Sequence, residues 1–237
     1  MKLWVMVILA AIAVSFYLLL FFVALFEKHP IGQFAPAALD QLPEPSKYFL
    51  AVNESARQLG FDFVGAFMEK RQGAVYGAYL AVWLSPDCRT LLRIAGGKTL
   101  RIKEKKMFLT SYLTDNSLVV SADMFGTPSL SGLDDRKTLL NAHLEELHPF
   151  HQNRLAAKPL PARIFEKDRA AQVMESLGMM TATRMKELGL AHFINAEQSA
   201  WRYSAKGAFL ICARFWDQVA ASKAQLERNK LKRPGDN

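Results

Sequence analysis

From Leu3 to Phe26 the chain reads LWVMVILAAIAVSFYLLLFFVALF, and no position in that run carries a charge. A helix of that length rises about 1.5 Å per residue, roughly 36 Å, enough to cross a hydrocarbon core of about 30 Å with some tilt. Hydrocarbon offers no partner to a backbone amide, so the segment must satisfy its own hydrogen bonds, which selects helix over an open strand. Trp4 stands near one end as an interfacial anchor, whereas Tyr17 lies inside the run. The pattern predicts one membrane-spanning helix and a bilayer contact through residues 3–26. A cleaved signal peptide is the rival reading. Its charged region would be only Met1 and Lys2, its apolar run would exceed the usual length of roughly 7–15 residues, and Val23-Ala24-Leu25-Phe26-Glu27 offers no small-x-small cleavage site. A retained signal-anchor over residues 1–26 is therefore expected.

Beyond Phe26 the pattern changes at once. Residues 27–47 carry Pro30, Pro36, Pro43 and Pro45, which remove backbone donors and bias their neighbours to extended conformations, so a semi-rigid spacer is expected. Ser46 can cap the next element, in which Phe49, Leu50, Val52, Ala56 and Leu59 recur at near-helical spacing until Gly60. The period then drops to two. Phe61, Phe63, Gly65 and Phe67 alternate with Asp62, Val64 and Ala66, predicting a half-buried strand. Val75 to Leu84 is apolar on both faces and reads as a central strand; Ser85-Pro86-Asp87-Cys88 fits a type I turn. Arg89 to Ala95 returns, Gly96-Gly97-Lys98 turns, and Leu100-Arg101-Ile102 begins another strand. Met107 to Thr114, Asp115-Asn116-Ser117 and Leu118 to Ala122 read as a further hairpin. Such short connections favour an antiparallel meander, because parallel neighbours need crossovers of about a dozen residues or more.

After a loop from Phe125 to Gly132 the pattern turns helical. Asp134 to Leu147 places Leu140, Leu144 and Leu147 on one side, with Pro149 expected to close it. Beyond Pro159 and Pro161, Ala170, Val173, Met174 and Leu177 form a stripe ended by Gly178, and a short helix from about Thr181 to Leu188 is ended by Gly189. Asn195 with Gln198 reads as the cap of a long final helix, whose stripe is Phe209, Cys212, Trp216, Val219 and Leu226.

Composition adds less. The anchor inflates the 51% hydrophobic share, yet the roughly 210 positions after it are still apolar enough for a buried core, which excludes disorder for most of the chain. The net charge of +8 gathers partly in Arg228, Lys230, Lys232 and Arg233, which suits anionic lipid headgroups at the C-terminal helix, nucleic acid, or solubility. Cys88 and Cys212 form no disulfide framework and leave the redox compartment open.

Five places offer candidate chemistry. His143, His148 and His151 lie within nine positions together with Glu145 and Glu146. A zinc helix sets its histidines at i and i+4, whereas a spacing of five puts two rings about 140° apart, so no metal site is expected. Ala170 to Leu188 has the outline of a helix-turn-helix, but Arg184 falls where a buried aliphatic is needed, and a plain helical hairpin around Gly178 fits better. Ser85, Ser111, Ser129 and Ser131 stand outside any G-x-S-x-G elbow. Gly96-Gly97-Lys98-Thr99 keeps only the end of a phosphate-binding loop and leads into a strand rather than a helix. Asp87, Asp115 and Asp123 sit at strand ends and turns, where aspartate serves local hydrogen bonds.

The sequence thus predicts an α+β protein with an N-terminal transmembrane helix, an antiparallel meander of about five strands with flanking helices, and a helical C-terminal part. The divisions expected are residues 1–26, 27–47, 48–160 and 161–237. A single-pass membrane-anchored binding or scaffolding protein is the leading function, meeting a protein partner or anionic lipid. A membrane-tethered hydrolase with a site assembled from distant residues, and a nucleic-acid binder using the basic C-terminal helix, are the alternatives. No cofactor or metal is expected, and catalytic residues are not identifiable. Lys2 and the α-amino group outweigh the cancelling pair Glu27 and Lys28, which orients residues 27–237 outside the cytoplasm.

Overall fold

A computed structural model describes residues 2–31, 33–37, 47–70, 78–99, 102–103, 106–123, 130, 132–166, 170–214 and 223. The protein is α+β, with one N-terminal apolar helix and a sheet of several strands. It divides into two compact units, Gly32–Thr181 and a second made of Met1–Ile31 with Ala182–Asn237.

In the unit Gly32–Thr181 the strands are β2 (Gln33–Ala37), β3 (Asp62–Lys70), β4 (Ala78–Leu84), β5 (Leu91–Thr99), β6 (Ile102–Lys103), β7 (Lys106–Tyr112), β8 (Leu118–Ala122) and β9 (Asp134–Thr138). They order β2-β3-β4-β5-β7-β8-β9, with β6 paired to β5 off that path. Every pairing is antiparallel except β8 with β9. Strands alternate their side chains between faces, and the two faces bury different cores. Towards α2 (Lys47–Gln58) and α3 (Leu144–Ala156), Trp83, Leu92, Ile94 and Leu109 meet Val52, Ala56, Leu144 and Leu147. On the other face Phe67, Val82, Leu91, Tyr112 and Val120 are covered by Phe165, with Val173 and Met180 packed alongside.

Several elements differ from the sequence reading. The proline-bearing stretch contributes β2, and Pro36 stands opposite Phe67 on a strand with one partner. An edge strand has amides that face no neighbour, so a missing N–H costs nothing there. The alternation expected from Phe61 to Phe67 breaks at a bulge between Phe63 and Gly65. One extra residue exchanges the faces, so Phe61 joins the helix-covered core and Phe67 the opposite one. Gly96 and Gly97 do not turn: they lie within β5, opposite Tyr79 and Ala78. The turn at Ser85–Cys88 is present, closed by the Cys88 amide donating to the Ser85 carbonyl at 2.9 Å.

Asp134–Thr138 is a strand rather than the start of a helix, because β8 offers it a complete row of partners in parallel register. Pro149 does not close α3, which begins after His143 and runs through the proline to Ala156. An internal proline costs a helix roughly 3 kcal/mol. Burial of Leu144, Leu147 and His151 at helical spacing along one side offsets it.

The expected hairpin around Gly178 is likewise one continuous helix, α4 (Ala170–Glu187). Gly178 does not take the left-handed conformation that ends a helix, whereas Gly189 does, with φ +67°. A helical glycine costs only about 1 kcal/mol, which a continuous helix absorbs.

In the second unit, α1 (Lys2–Phe26) leads within two residues to β1 (His29–Pro30), which pairs with β11 (Ala200–Tyr203), itself paired with β10 (Ala191–Phe193). Asn195 does not cap the final helix. Its side chain accepts from the Ser199 amide at 3.1 Å inside the β10–β11 turn. The helix over residues 205–214 is capped by Ser204, whose Oγ accepts from the Gly207 amide at 3.1 Å. Ser46, Pro43, Pro45, Val75, Leu100, Phe125, Ser129, Ser131, Trp216, Val219, Leu226 and the basic run Arg228–Arg233 lie outside the described residues.

Candidate functional site

Under α3 a chain of polar side chains crosses the sheet. His151 is fully buried; its Nε2 lies 3.0 Å from Ser111 Oγ and its Nδ1 2.9 Å from Ser121 Oγ. Ser111 continues to Thr90 Oγ1 at 3.0 Å. At the other end Arg154 donates to Ser121 Oγ at 2.7 Å and to the Val120 carbonyl at 2.6 Å, then pairs with Asp135 at 3.0 Å, which Lys158 meets at 2.6 Å. Since Ser121 Oγ accepts from Arg154, we assign its own proton to His151 Nδ1, which leaves Nε2–H to donate to Ser111. A second proton on the ring would be buried beside the Arg154 cation. Burial, then the nearby Arg154 cation, lowers the His151 pKa to about 3.

Ser111 and His151 stand at the separation of a nucleophile and its base, but neither is reachable. Ser111, Ser121, Thr90 and His151 are all 0% exposed, and a hydroxyl, not a carboxylate, holds Nδ1. A triad needs an open nucleophile and an acidic orienter. This chain instead ties β5, β7, β8 and α3 together.

The other two histidines go elsewhere. His143 precedes α3, its amide donating to the Glu146 carboxylate at 3.2 Å. His148 stacks edge-on with Phe61 at 5.2 Å and lies 3.2 Å from Gln152 Nε2. Among the described residues no three His, Cys, Asp or Glu side chains gather as metal ligands.

The aspartates do not converge either. Asp87 accepts from the Arg89 amide and Asp115 from the Ser117 amide, each within its own turn. Asp123 accepts from Tyr48 at 2.7 Å and from the Met107 amide at 2.8 Å, and burial raises its pKa despite both bonds.

The opposite face of the sheet holds a recess of about 260 Å³, walled by Tyr112, Ile164, Phe165, Val173 and Met180, with Arg163 and Glu166 beside them. The segment after α3 builds one wall. The Arg163 amide donates to the Tyr112 carbonyl and the Phe165 amide to the Cys88 carbonyl, both at 2.7 Å. The Phe165 ring then meets Tyr112 edge-on at 5.8 Å. Ile164 is left 66% exposed beside the recess.

Two polar groups on this face are shielded and unpartnered: the Tyr112 hydroxyl and Arg93 Nε. Arg93 donates to Thr110 Oγ1 at 2.6 Å and lies over the Phe108 ring at 5.7 Å, but it has no carboxylate partner. Arg136, on β9, is close enough to depress its pKa further after burial has done so. Sequence reasoning passed over Arg93 as one polar position in a strand. Its only signal was a charge facing the same side as Leu91, on a strand otherwise apolar from Leu91 to Ala95.

The unit containing α1 is the basic one. Its residues hold 12 Lys and Arg against 6 Asp and Glu, whereas Gly32–Thr181 holds 18 against 16. Directly after α1, His29 stacks on Trp201 at 4.3 Å, and Trp201 meets Tyr203 edge-on at 4.8 Å. Trp4–Phe26 is the one candidate span among the described residues, with mean hydropathy 2.8 and no burial inside the protein.

No protein-family model, curated protein or solved structure matches the chain.

Proposed function

We propose that the chain is a single-pass membrane-anchored binding protein. In this reading α1 crosses the bilayer, the basic unit beside it meets anionic headgroups, and the unit Gly32–Thr181 offers the recess to a ligand. The carrying observation is the junction of α1 with β1. Only Glu27 and Lys28 separate the uncharged run Leu3–Phe26 from a strand whose His29 stacks on Trp201. Three residues span at most about 10 Å, so a membrane-embedded α1 holds the Trp201–Tyr203 pair near the headgroups, where amphipathic aromatic rings are favoured. The charge excess lies in this unit, and with the unit outside the cytoplasm it suits an outer surface that carries anionic headgroups. The sealed Ser111–His151 pair supports binding over hydrolysis. Lys2 and the α-amino group favour a cytoplasmic N-terminus, with residues 27–237 outside.

Depth-dependent quenching tests the arrangement. With Trp4, Trp83 and Trp216 changed to Phe, Trp201 in reconstituted chain is to be quenched by headgroup-labelled lipid more strongly than by lipid labelled at the chain terminus. Emission untouched by either label counts against an embedded α1.

A further inference from the structure

We propose that the recess beside Tyr112 binds a small amphipathic monoanion, a carboxylate on an apolar body, with the carboxylate accepting from the Tyr112 hydroxyl and the body against Phe165, Val173 and Met180. The inference rests on the binding reading above and names the ligand class of that site.

One missing acceptor lies at the recess, on Tyr112, and a second, on Arg93, lies on the same sheet face outside its lining. A buried hydroxyl and a buried guanidinium N–H without partners are uncommon, because each unmade bond leaves a desolvated donor uncompensated. Tyr112 and Arg93 leave such groups open on one sheet face, and each lies within the other's electrostatic reach. Both groups donate, so what they lack is an acceptor. Arg93 keeps its charge without a carboxylate near it, so a negative acceptor answers the field as well as the hydrogen bonds. Burial pushes the Tyr112 phenol up to about 12, which keeps it a donor at neutral pH.

The walls specify the rest of the ligand. Phe165, Val173, Met180 and Ile164 give an apolar lining, and methionine adapts to irregular shapes. At about 260 Å³ the space falls just below the usual range of roughly 300–1,000 Å³, so it takes a molecule smaller than a drug. Arg163, whose guanidinium donates to the Thr114 carbonyl at 3.1 Å, adds positive charge at the rim, and the single hydroxyl donor of Tyr112 in the lining matches one carboxylate.

The test uses the full chain in detergent, with phenylbutyrate and its neutral counterpart phenylbutyramide as probes, followed by calorimetry and by the methyl signal of Met180. The acid is expected to bind at least about tenfold more tightly than the amide, since hydrogen bonds to a charged acceptor contribute more than neutral ones. Tyr112→Phe removes the donor without changing the ring. It is expected to lose about tenfold in acid affinity, to leave amide affinity unchanged, and not to lower the melting temperature, because the hydroxyl has no partner to lose. Arg93→Met is expected to erase the remaining preference for the acid. Equal affinity for acid and amide in the wild type overturns the anion assignment and leaves the recess a binding site. Binding of neither probe overturns both readings. A Tyr112→Phe chain that binds the acid like the wild type overturns the role of Tyr112.

Discussion

Ser111 Oγ and His151 Nε2 stand 3.0 Å apart at a place solvent does not reach. The same separation in an open cleft would suggest acyl transfer. Here it closes a structural chain from Thr90 to Asp135, and its consequence is stability. His151→Ala leaves Ser111 and Ser121 without their partner and opens a cavity under α3. A loss of about 3 kcal/mol is expected, read from chemical denaturation. Ser111→Ala removes its bonds to His151 and Thr90 and is expected to cost about 2 kcal/mol.

Acid should destabilise the fold through the same residue. The unfolded ring takes a proton near pH 6.5 and the folded one only near 3, so between those values the unfolded state binds more protons. Stability therefore falls as pH is lowered through that window, by up to about 1.4 kcal/mol per unit. His148, lowered mainly by burial, acts in the same direction. Asp123 opposes them, because its raised pKa means that the folded state takes up a proton first. Melting temperatures from pH 7 to 4 in wild type and His151→Gln should show the steeper fall in wild type.

Pro149 costs α3 an internal hydrogen bond at an exposed position. Pro149→Ala is expected to stabilise the chain by about 1–3 kcal/mol, measured as a rise in the denaturation midpoint. An unchanged or lower midpoint would mean that the helix does not continue through this position.

Gly207 is tightly packed in the unit that contains α1. A Cβ built there falls 2.0 Å from the Leu190 carbonyl oxygen. The two nearest atoms, the Leu190 carbonyl oxygen and carbon, are backbone, so they do not yield cheaply. Gly207→Ala should loosen residues 190–214, seen as faster proteolysis there, with a cost of several kcal/mol.

Much of this was written plainly in the sequence, and the losses have physical causes. An uncharged apolar run, or the turn at Ser85–Cys88, is specified by neighbours in the chain. Asp134–Thr138 is not: DDRKT has no apolar alternation, and only the parallel edge of β8 makes it a strand. Pro149 and Gly178 both looked like stops because local propensity treats them so, while burial of Leu147 and His151, in the one case, carried the helix onward. The fate of His151 followed from that. With α3 ended at Pro149 its direction was undetermined, and with α3 continued it points into the sheet. The Arg93–Tyr112 pair was invisible for another reason, since an unpartnered group shows only once every neighbour is placed.

Orientation is accessible to protease. With the N-terminus in the cytoplasm, protease added outside intact cells or spheroplasts is expected to digest residues 27–237. Full protection, with digestion after lysis, would reverse the orientation and turn the basic unit towards the cytoplasmic leaflet.

The anchor itself decides the account most directly. Membranes from cells expressing the chain can be washed with alkaline carbonate and the retained protein weighed by intact-mass spectrometry. The account predicts a chain that stays in the pellet and keeps residues 2–26, with a mass near 26.6 kDa. A product released by carbonate, or one shortened by the apolar segment, would contradict it.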